Sequence, residues 1–514
     1  MLRAEERTDI QNSIGRLIIS ALSFLIQIVW LSFIGFTLKK YSVAINLITS
    51  IIALALAIWV FNRRDTNSNF KMPWIMLILV FPILGICLFV VFGHKYSIKA
   101  RNKMDNIHQV CSQMVKIDED LLLDVGKEDK GIENQFRYLC SVEGFPLYKN
   151  SDVTFYGEAS DAFESLIDEA ANAKEFIFLE YFAIQYNIAF NRLLKVLLKK
   201  IEEGVEVRIL YDDIGSIGFV NDSFAKKLEE QGIHCRAFNK ISPAFRLYMN
   251  NRDHRKIAVI DGKVAFTGGF NIADEYFNIT HPYGYWKDTG IKIKGQAVRS
   301  LLCMFLEMWS STAEQIENLD GYRNIEVEEF ESEGYILPYA DSPLDDARVG
   351  ENVYINLVSN AKEKVYITTP YLVISDELQR TLQLAASRGV DVRIVTPGIP
   401  DKKLTYKLTR SYYSNLMRYG VKIYEYTPGF IHAKQVIADD NLAIVGTINM
   451  DYRSLFHHFE NAVLLYNVDM INDISNDFEQ LFRVSRLVNE IEPTKKKIGR
   501  RILGAVLRLI APLI

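Results

Sequence analysis

Cysteine is scarce in this chain of 514 residues. There are five, at positions 87, 111, 140, 235 and 303, and no two stand at C-x-x-C spacing. That excludes a zinc ribbon and a disulfide framework, and a reducing environment for the body is the simpler reading. A strong charge of one sign is also missing. The formal net charge is −4, which argues against a general nucleic-acid binder. No G-x-x-x-x-G-K-[ST] loop occurs, so nothing indicates a nucleotide-driven step. No carboxylate–histidine cluster shows hard-metal or zinc spacing, and the chain is expected to need neither metal nor cofactor.

Charge is absent altogether from three long stretches near the N-terminus. Leu17–Leu38, Tyr41–Asn62 and Met72–Gly93 each run 22 residues without Asp, Glu, Lys, Arg or His. Each is long enough to cross a hydrocarbon layer about 30 Å thick. The first is too long for a signal-peptide core and lacks an A-x-A-like cleavage site. The region up to residue 95 therefore reads as a membrane anchor of two to three spans. Lys95, Lys99, Arg101 and Lys103 follow the third stretch and favour a cytoplasmic body. Arg3, Arg7 and Arg16, with Arg63, Arg64 and Lys71, weaken that bias, and a re-entrant first segment is the alternative.

What the chain does contain is a repeated signature. "DHRKIAVIDGKVAFTGGFN" (253–271) and "IHAKQVIADDNLAIVGTIN" (431–449) share one pattern. From His254, a lysine follows at +2 (Lys256), an aspartate at +7 (Asp261), a glycine at +14 and an asparagine at +17 (Asn271). From His432, Lys434, Asp439, Gly446 and Asn449 fall at the same offsets. Equal spacing of five residue types, twice, indicates duplication. In the first copy Asp261-Gly262 lies between two short apolar runs, a hairpin signal.

The flanking sequence is duplicated too. "EFIFLEYFAI" and "KVYITTPYLV" are strand-like, and "GVEVRIL" parallels "GVDVRIV". In each half a helix-like segment ends at a glycine before the next strand: Gly204 and Gly232 in one, Gly389 and Gly420 in the other. This fits left-handed helix caps. Alternating strands and helices argue for mixed α/β sheets. The expected organisation is an anchor (1–95), a connector (96–149), a first half (150–317), an acidic linker (318–346) and a second half (347–490). In the tail (494–514), Lys497, Arg501 and Arg508 share one helical face and Ile498, Ile502, Val506 and Leu509 another. A basic amphipathic helix in the headgroup layer fits, and packing on the body is the alternative.

Two facing hairpins would supply two imidazoles, two ammonium groups and two amides. One histidine can attack a phosphodiester while the other protonates the leaving oxygen. The lysines and asparagines can hold its negative oxygens without a metal. An aspartate at a hairpin turn more often organises backbone than performs catalysis, and that is the favoured reading of Asp261 and Asp439. A histidine nucleophile needs its other ring nitrogen oriented by a carboxylate. Asp288, 34 residues after His254, and Glu460, 28 residues after His432, are candidates. The histidines at 94, 108, 234, 281, 457 and 458 lack this setting and read as structural or solvated.

The paired motifs resemble the phospholipase D superfamily. With the apolar N-terminus, "PWIMLILVFPILGICLFVVFGHK" and the "APLI" tail, the chain is similar to the bacterial cardiolipin synthases of that superfamily. The resemblance implies two α/β halves sharing one active site, with His254, Lys256, Asp261, His432, Lys434 and Asp439 as its catalytic motif residues. It implies phosphatidyl transfer between two phosphatidylglycerol molecules, with release of glycerol through a phosphohistidine. It also implies a multi-pass protein of the bacterial cell membrane that meets anionic lipids. Asp288 and Glu460 are carried over as orienting acids, His254 with Asp288 and His432 with Glu460, and His254 as the nucleophile. Asn271, Asn449, Gly269 and Thr447 are the expected phosphate ligands. The family's G-S-x-N has Gly269 and Thr447 in place of serine, so the first half is expected to use backbone. A membrane-bound phospholipase D that hydrolyses lipids shares all these residues. A nuclease and a silent scaffold fit less well. Replacing either His254 or His432 with Ala is expected to abolish turnover of phosphatidylglycerol, measured on purified protein. Wild-type-like turnover by either variant contradicts a shared site.

Overall fold

The computed structural model describes residues 25, 29, 42–63, 68–93, 98–221, 223–240, 251–489, 508 and 511. Two sheets carry the body. The first-half strands are β1 (Ser151–Tyr156), β2 (Phe176–Tyr181), β3 (Glu206–Asp212), β4 (His234–Phe238), β5 (Arg252–Asp253), β6 (Lys256–Ile260), β7 (Val264–Gly268), β8 (Tyr285–Lys287) and β9 (Gly290–Gly295). The second half adds β10 (Tyr335–Asp341), β11 (Lys364–Thr368), β12 (Asp391–Pro397), β13 (Lys422–Tyr426), β14 (Gly429–Ile431), β15 (Gln435–Ala438), β16 (Leu442–Gly446), β17 (His458–Tyr466) and β18 (Ser485–Leu487).

The sheets repeat one topology. The first runs β1-β9-β7-β6-β2-β3-β4 and the second β10-β17-β16-β15-β11-β12-β13-β18. In each, three strands are parallel (β2, β3 and β4; β11, β12 and β13), and the motif hairpin joins them antiparallel through β6 or β15. Crossover helices Ile188–Glu202 and Asp376–Ser387 connect the first two parallel strands of each half, as a parallel pair requires. The glycines after the helices adopt positive φ: 89° at Gly204, 90° at Gly232, 98° at Gly389 and 100° at Gly420. A β-carbon is strained in that conformation. The expected acidic linker is partly a strand, because β10 pairs along its length with β17.

Strand alternation sorts the core. On β6, Ile257 and Val259 face a cluster that also contains Ile437 of β15, Ala443 and Val445 of β16 and Val463 of β17. Ala258 and Ile260 face the helices of the first half. The sheets therefore pack on each other, with the buried helix Val298–Ser311 in the same cluster. The connector is helical at Ile98–Cys111, Glu119–Glu128 and Lys130–Glu143. It reaches both units: Ile107 joins the shared core, and Phe136 packs with the second half.

The N-terminal region departs from expectation. Ser42–Asn62 is one helix, but Met72–Gly93 divides into parts of Ser68–Val80 and Pro82–Phe92. Pro82 has no N–H to continue the first helix, and a residue before proline is pushed out of the helical region. Phe81 has φ −126° and ψ 74°. Among the described residues, no helix is long and apolar enough to cross a membrane. Leu47, Ile51, Leu54, Ile58, Phe61 and Val80 are nevertheless more than half exposed. Apart from Leu25 and Val29, the first apolar stretch lies outside the described residues, as does His94. Of the tail, Arg508 and Ala511 are described. The Arg508 guanidinium donates to Ser411 Oγ at 3.0 Å, and Ala511 is buried.

Each hairpin is tied down by its turn aspartate. The Asp261 carboxylate accepts from the backbone N–H groups of Lys174, Glu175 and Phe176 at 2.8, 2.8 and 2.9 Å. Asp439 does the same for Lys362, Glu363 and Lys364 at 2.6, 2.7 and 3.0 Å. Both have positive φ, 52° and 50°. Their place among the catalytic motif residues is thereby corrected: they lock the hairpin to the start of the central strand. Asp261→Ala is expected to cost about 1–3 kcal/mol through orphaned donors. The check is a lowered midpoint of thermal unfolding in detergent, with turnover per folded molecule retained. An unchanged midpoint contradicts the anchoring role.

Candidate active site

Two short strands carry each histidine to its acid, and both cross between the halves. β5, just before His254, pairs in parallel with the start of β17, placing Arg252 opposite His458 and Asp253 opposite Phe459. The His254 N–H then donates to the Phe459 carbonyl at 2.9 Å. One residue on, His254 Nδ1 lies 2.9 Å from Glu460 Oε2. β14, just before His432, pairs with β8 in the same manner, Ile431 opposite Lys287. The His432 N–H donates to the Lys287 carbonyl at 2.7 Å, and His432 Nδ1 lies 2.6 Å from Asp288 Oδ2. The expected pairing within each half is therefore wrong. Each histidine takes its carboxylate from the opposite half.

Lys256 and Lys434 are each 2% exposed. Lys256 Nζ donates to the His254 carbonyl at 2.6 Å. Lys434 Nζ donates to the His432 carbonyl and lies 2.8 and 3.0 Å from the two ring nitrogens of His432. Aromatic rings wall each imidazole. Phe182 stands edge-on to His254 at 4.9 Å, and Tyr276 and Trp286 lie 5.2 and 5.4 Å from His432.

The expected phosphate ligands behave differently. Asn271 Oδ1 accepts from the Ala183 N–H at 3.0 Å, and its amide donates to the Tyr276 hydroxyl at 2.8 Å. Asn449 is buried, and its Oδ1 has no hydrogen-bond partner among the described residues. The Thr447 hydroxyl lies 2.5 Å from Glu460 Oε2 and 3.0 Å from the Asn461 carbonyl, and it accepts from the Asn461 N–H. It steadies the acid instead of facing a ligand. Gly269 offers no free backbone donor, since its N–H bonds to the Thr289 carbonyl at 3.0 Å. A β-carbon there would stand 2.0 Å from Asp288 Oδ1, so serine at this position would collide with the acid.

Comparison with known proteins agrees with this geometry. The family described as "Cardiolipin synthase, PLD-like domain" matches residues 166–309 and 354–482, one segment per half. A second family, "Phospholipase_D-nuclease N-terminal", matches residues 51–94. A cardiolipin synthase of Oceanobacillus iheyensis is 31% identical over 90% of this chain and 97% of its own. The chain belongs to the cardiolipin synthase family. Another member of similar length, from Geobacillus kaustophilus, is 32% identical over 90% of this chain and 92% of its own. An uncharacterized protein of Streptococcus mutans is 43% identical over 88% of this chain and 98% of its own. The solved phosphatidylserine synthase of Haemophilus influenzae shares the fold, with a TM-score of 0.55 at 16% identity, over 74% of this chain and all of that one.

In this member of the family the two dyads are electrostatically unequal. Burial pushes the Glu460 carboxyl well above the usual carboxylate range, despite Lys256 nearby. Burial acts on Asp288 in the same direction, but the charges of His432 and Lys434 and hydrogen bonds from His432 and the Thr289 N–H bring it below its ordinary value. Both imidazoles favour the neutral form. Burial, then the charge of Lys256, holds His254 well below its usual value, with Lys434 and His432 of the other half contributing. Burial and Lys434 push His432 down to about 4, while Asp288 opposes them. The mutual influence of residues 254, 256, 432 and 434 gathers both motifs into one site.

One resident of this site was not anticipated. His458, expected to be structural or solvated, is 8% exposed, and its ring lies 5.3 Å from that of His254. It stands two residues before Glu460 on β17, and side chains two apart share one face of a strand. That spacing in "HHFENAV" was the available signal. With Glu460 and His254 it forms a carboxylate–histidine group whose candidate ligand atoms all lie within 4.8 Å of one another. The expectation of no such cluster thus holds along the sequence but not in space.

The lysines set a pH limit. Burial lowers Lys256 to about 8 and Lys434 to about 7. An ammonium can hold a phosphodiester oxygen and a neutral amine cannot, and the ammonium proton is lost as pH rises through these values. An alkaline limb of kcat/KM is expected between about pH 7 and 8. A bound phosphodiester holds the lysine protons, so the limb of kcat should lie at higher pH. A kcat/KM still rising at pH 9 contradicts this.

Proposed function

We propose that the chain transfers a phosphatidyl group from one phosphatidylglycerol to another, with release of glycerol. The observation that carries this reading is the pair of exchanged His–carboxylate dyads, His254–Glu460 and His432–Asp288, in one buried site. His254 is the nucleophile. Burial raises Glu460 and leaves it little charge to hold a proton on His254. Asp288, held below its ordinary value, opposes the burial and Lys434 that lower His432 to about 4, so His432 is the imidazole that takes up a proton when the phosphodiester binds.

With Nδ1 turned to Glu460, His254 attacks phosphorus through Nε2, and the bond to the departing glycerol oxygen breaks. His432 gives that oxygen its proton. The hydroxyl of a second phosphatidylglycerol then loses its proton to His432 and attacks phosphorus. The P–N bond breaks, cardiolipin leaves and both histidines return to their starting states. Lys256 and Lys434 hold the non-bridging oxygens. The exchange conserves one phosphodiester, so no nucleotide is consumed.

The reading places the enzyme at a bilayer. The exposed apolar side chains of Ser42–Asn62 and of the Ser68–Phe92 region support it, and so does the N-terminal family match. A multi-pass anchor with a cytoplasmic body, meeting phosphatidylglycerol and other anionic lipids, belongs to this proposal.

Product analysis on phosphatidylglycerol decides the acceptor. Cardiolipin with glycerol in equal amounts is expected, and phosphatidic acid as the main product would make the protein a hydrolase. Turnover with phosphorus-radiolabelled lipid, quenched in denaturing detergent at neutral pH, should leave acid-labile label on the peptide bearing His254. Label on the His432 peptide alone reverses the assignment of nucleophile.

A further inference from the structure

Two buried polar atoms in the site face one another without making a bond. His458 Nδ1 and Glu460 Oε1 are 3.6 Å apart, and neither has a hydrogen-bond partner among the described residues. Burying an unpaired polar atom costs free energy, and two such atoms side by side call for something between them. Their separation is too long for a hydrogen bond. It is close to the roughly 3.3–3.5 Å between two ligand atoms that each lie about 2.0–2.1 Å from a tetrahedral metal ion. The third member is in place. His254 Nδ1 is 2.9 Å from the other oxygen of the same carboxylate, and the ligand atoms of all three residues fall within 4.8 Å of one another.

We propose that His254, His458 and Glu460 form a binding site for a divalent transition-metal ion, with zinc as its best occupant, and that the bound ion inhibits the enzyme. Two imidazoles and one carboxylate are a known zinc ligand set, and they leave a fourth position for water. Magnesium and calcium prefer oxygen ligands and are excluded by the two nitrogens. Inhibition follows from the identity of the ligands. The ion takes the lone pair of His254 Nδ1, so the proton of the neutral ring sits on Nε2 and the attacking atom loses its lone pair. It also takes the carboxylate that orients the ring, and no redox change is involved. The ammonium of Lys256, which bonds to the His254 carbonyl, repels the cation and limits its affinity.

The second dyad provides an internal contrast. The residue two before Asp288, corresponding to His458, is Trp286, whose ring stands 5.4 Å from that of His432. An indole cannot take the third ligand position, so the proposed site exists at one histidine alone. The inhibitory part rests on the reading of His254 as a reacting group, whereas zinc binding is read separately.

The experiment uses the full chain in mixed micelles with phosphatidylglycerol, stripped with chelator and titrated with buffered free zinc. Activity and bound zinc, the latter by equilibrium dialysis, are followed together. The wild type is expected to bind zinc at this site, lose activity and recover it on adding chelator. His458→Asn keeps an amide near the place of Nδ1 but removes the imidazole ligand. Relative to its own uninhibited rate, it should need at least about tenfold more zinc for half-inhibition, and it should bind one equivalent less. Equal zinc sensitivity and equal zinc content in the two proteins overturn the site. Zinc bound through His458 without loss of activity overturns the inhibition and keeps the site. Should His458→Asn fail to fold or turn over, X-ray absorption of the zinc-loaded wild type decides. A shell with two imidazoles supports the site, and a shell without them removes it.

Discussion

The site depends on a reciprocal exchange of backbone hydrogen bonds. β5 of the first half pairs with β17 of the second, and β14 of the second half pairs with β8 of the first. Each pairing delivers a histidine N–H to a carbonyl across the interface and sets the next residues opposite each other. The histidine and its acid are thus aligned by main chain before their side chains meet. Close approach is needed for this. At Gly429 a β-carbon would lie 2.2 Å from the Tyr285 carbonyl oxygen, so side chains are excluded where β14 meets β8. Neither half contains a complete dyad alone.

The duplication is symmetrical in backbone and unequal in side chains. A long acid in the second half is met by the Thr447 hydroxyl, whereas a short acid in the first half fills the space that Gly269 leaves open. Burial then raises the Glu460 carboxyl well above its ordinary value, while the neighbouring cationic groups hold Asp288 below its own. A phosphotransfer site needs one neutral and one protonated imidazole at the start. Two equal copies could not distinguish the roles; here Asp288 opposes the lowering of His432, which makes His432 the readier of the two to take a proton without any change in fold.

Much of this was legible in the sequence, and the reasons for the gaps are specific. The repeated offsets from His254 and His432 encode a hairpin, and hairpin register is local, so the motifs and both sheets could be read. The glycines at 204, 232, 389 and 420 marked helix ends because their conformation is a property of single residues. The partner of each acid could not be read. It is set by β5 and β8, strands of two and three residues, too short to carry a periodic signal. Asp261 and Asp439 read correctly as turn organisers from chemistry alone. Their place in a catalytic motif came from resemblance. His458 was overlooked because it was judged by its distance from the motifs, when its two-residue step to Glu460 was the informative spacing.

The crossed dyads are tested most directly by combining adduct mapping with a leaving group that needs no protonation. Glu460→Gln and Asp288→Asn would each be given phosphatidyl-p-nitrophenol and radiolabelled phosphatidylglycerol, and the labelled histidine peptide identified. One variant should regain adduct formation with the activated substrate, because only acid–base help was lost. The other should not, because its nucleophile is misoriented. The unrescued acid and the labelled histidine are expected to come from opposite halves, Glu460 with His254. Finding them in the same half contradicts the exchange.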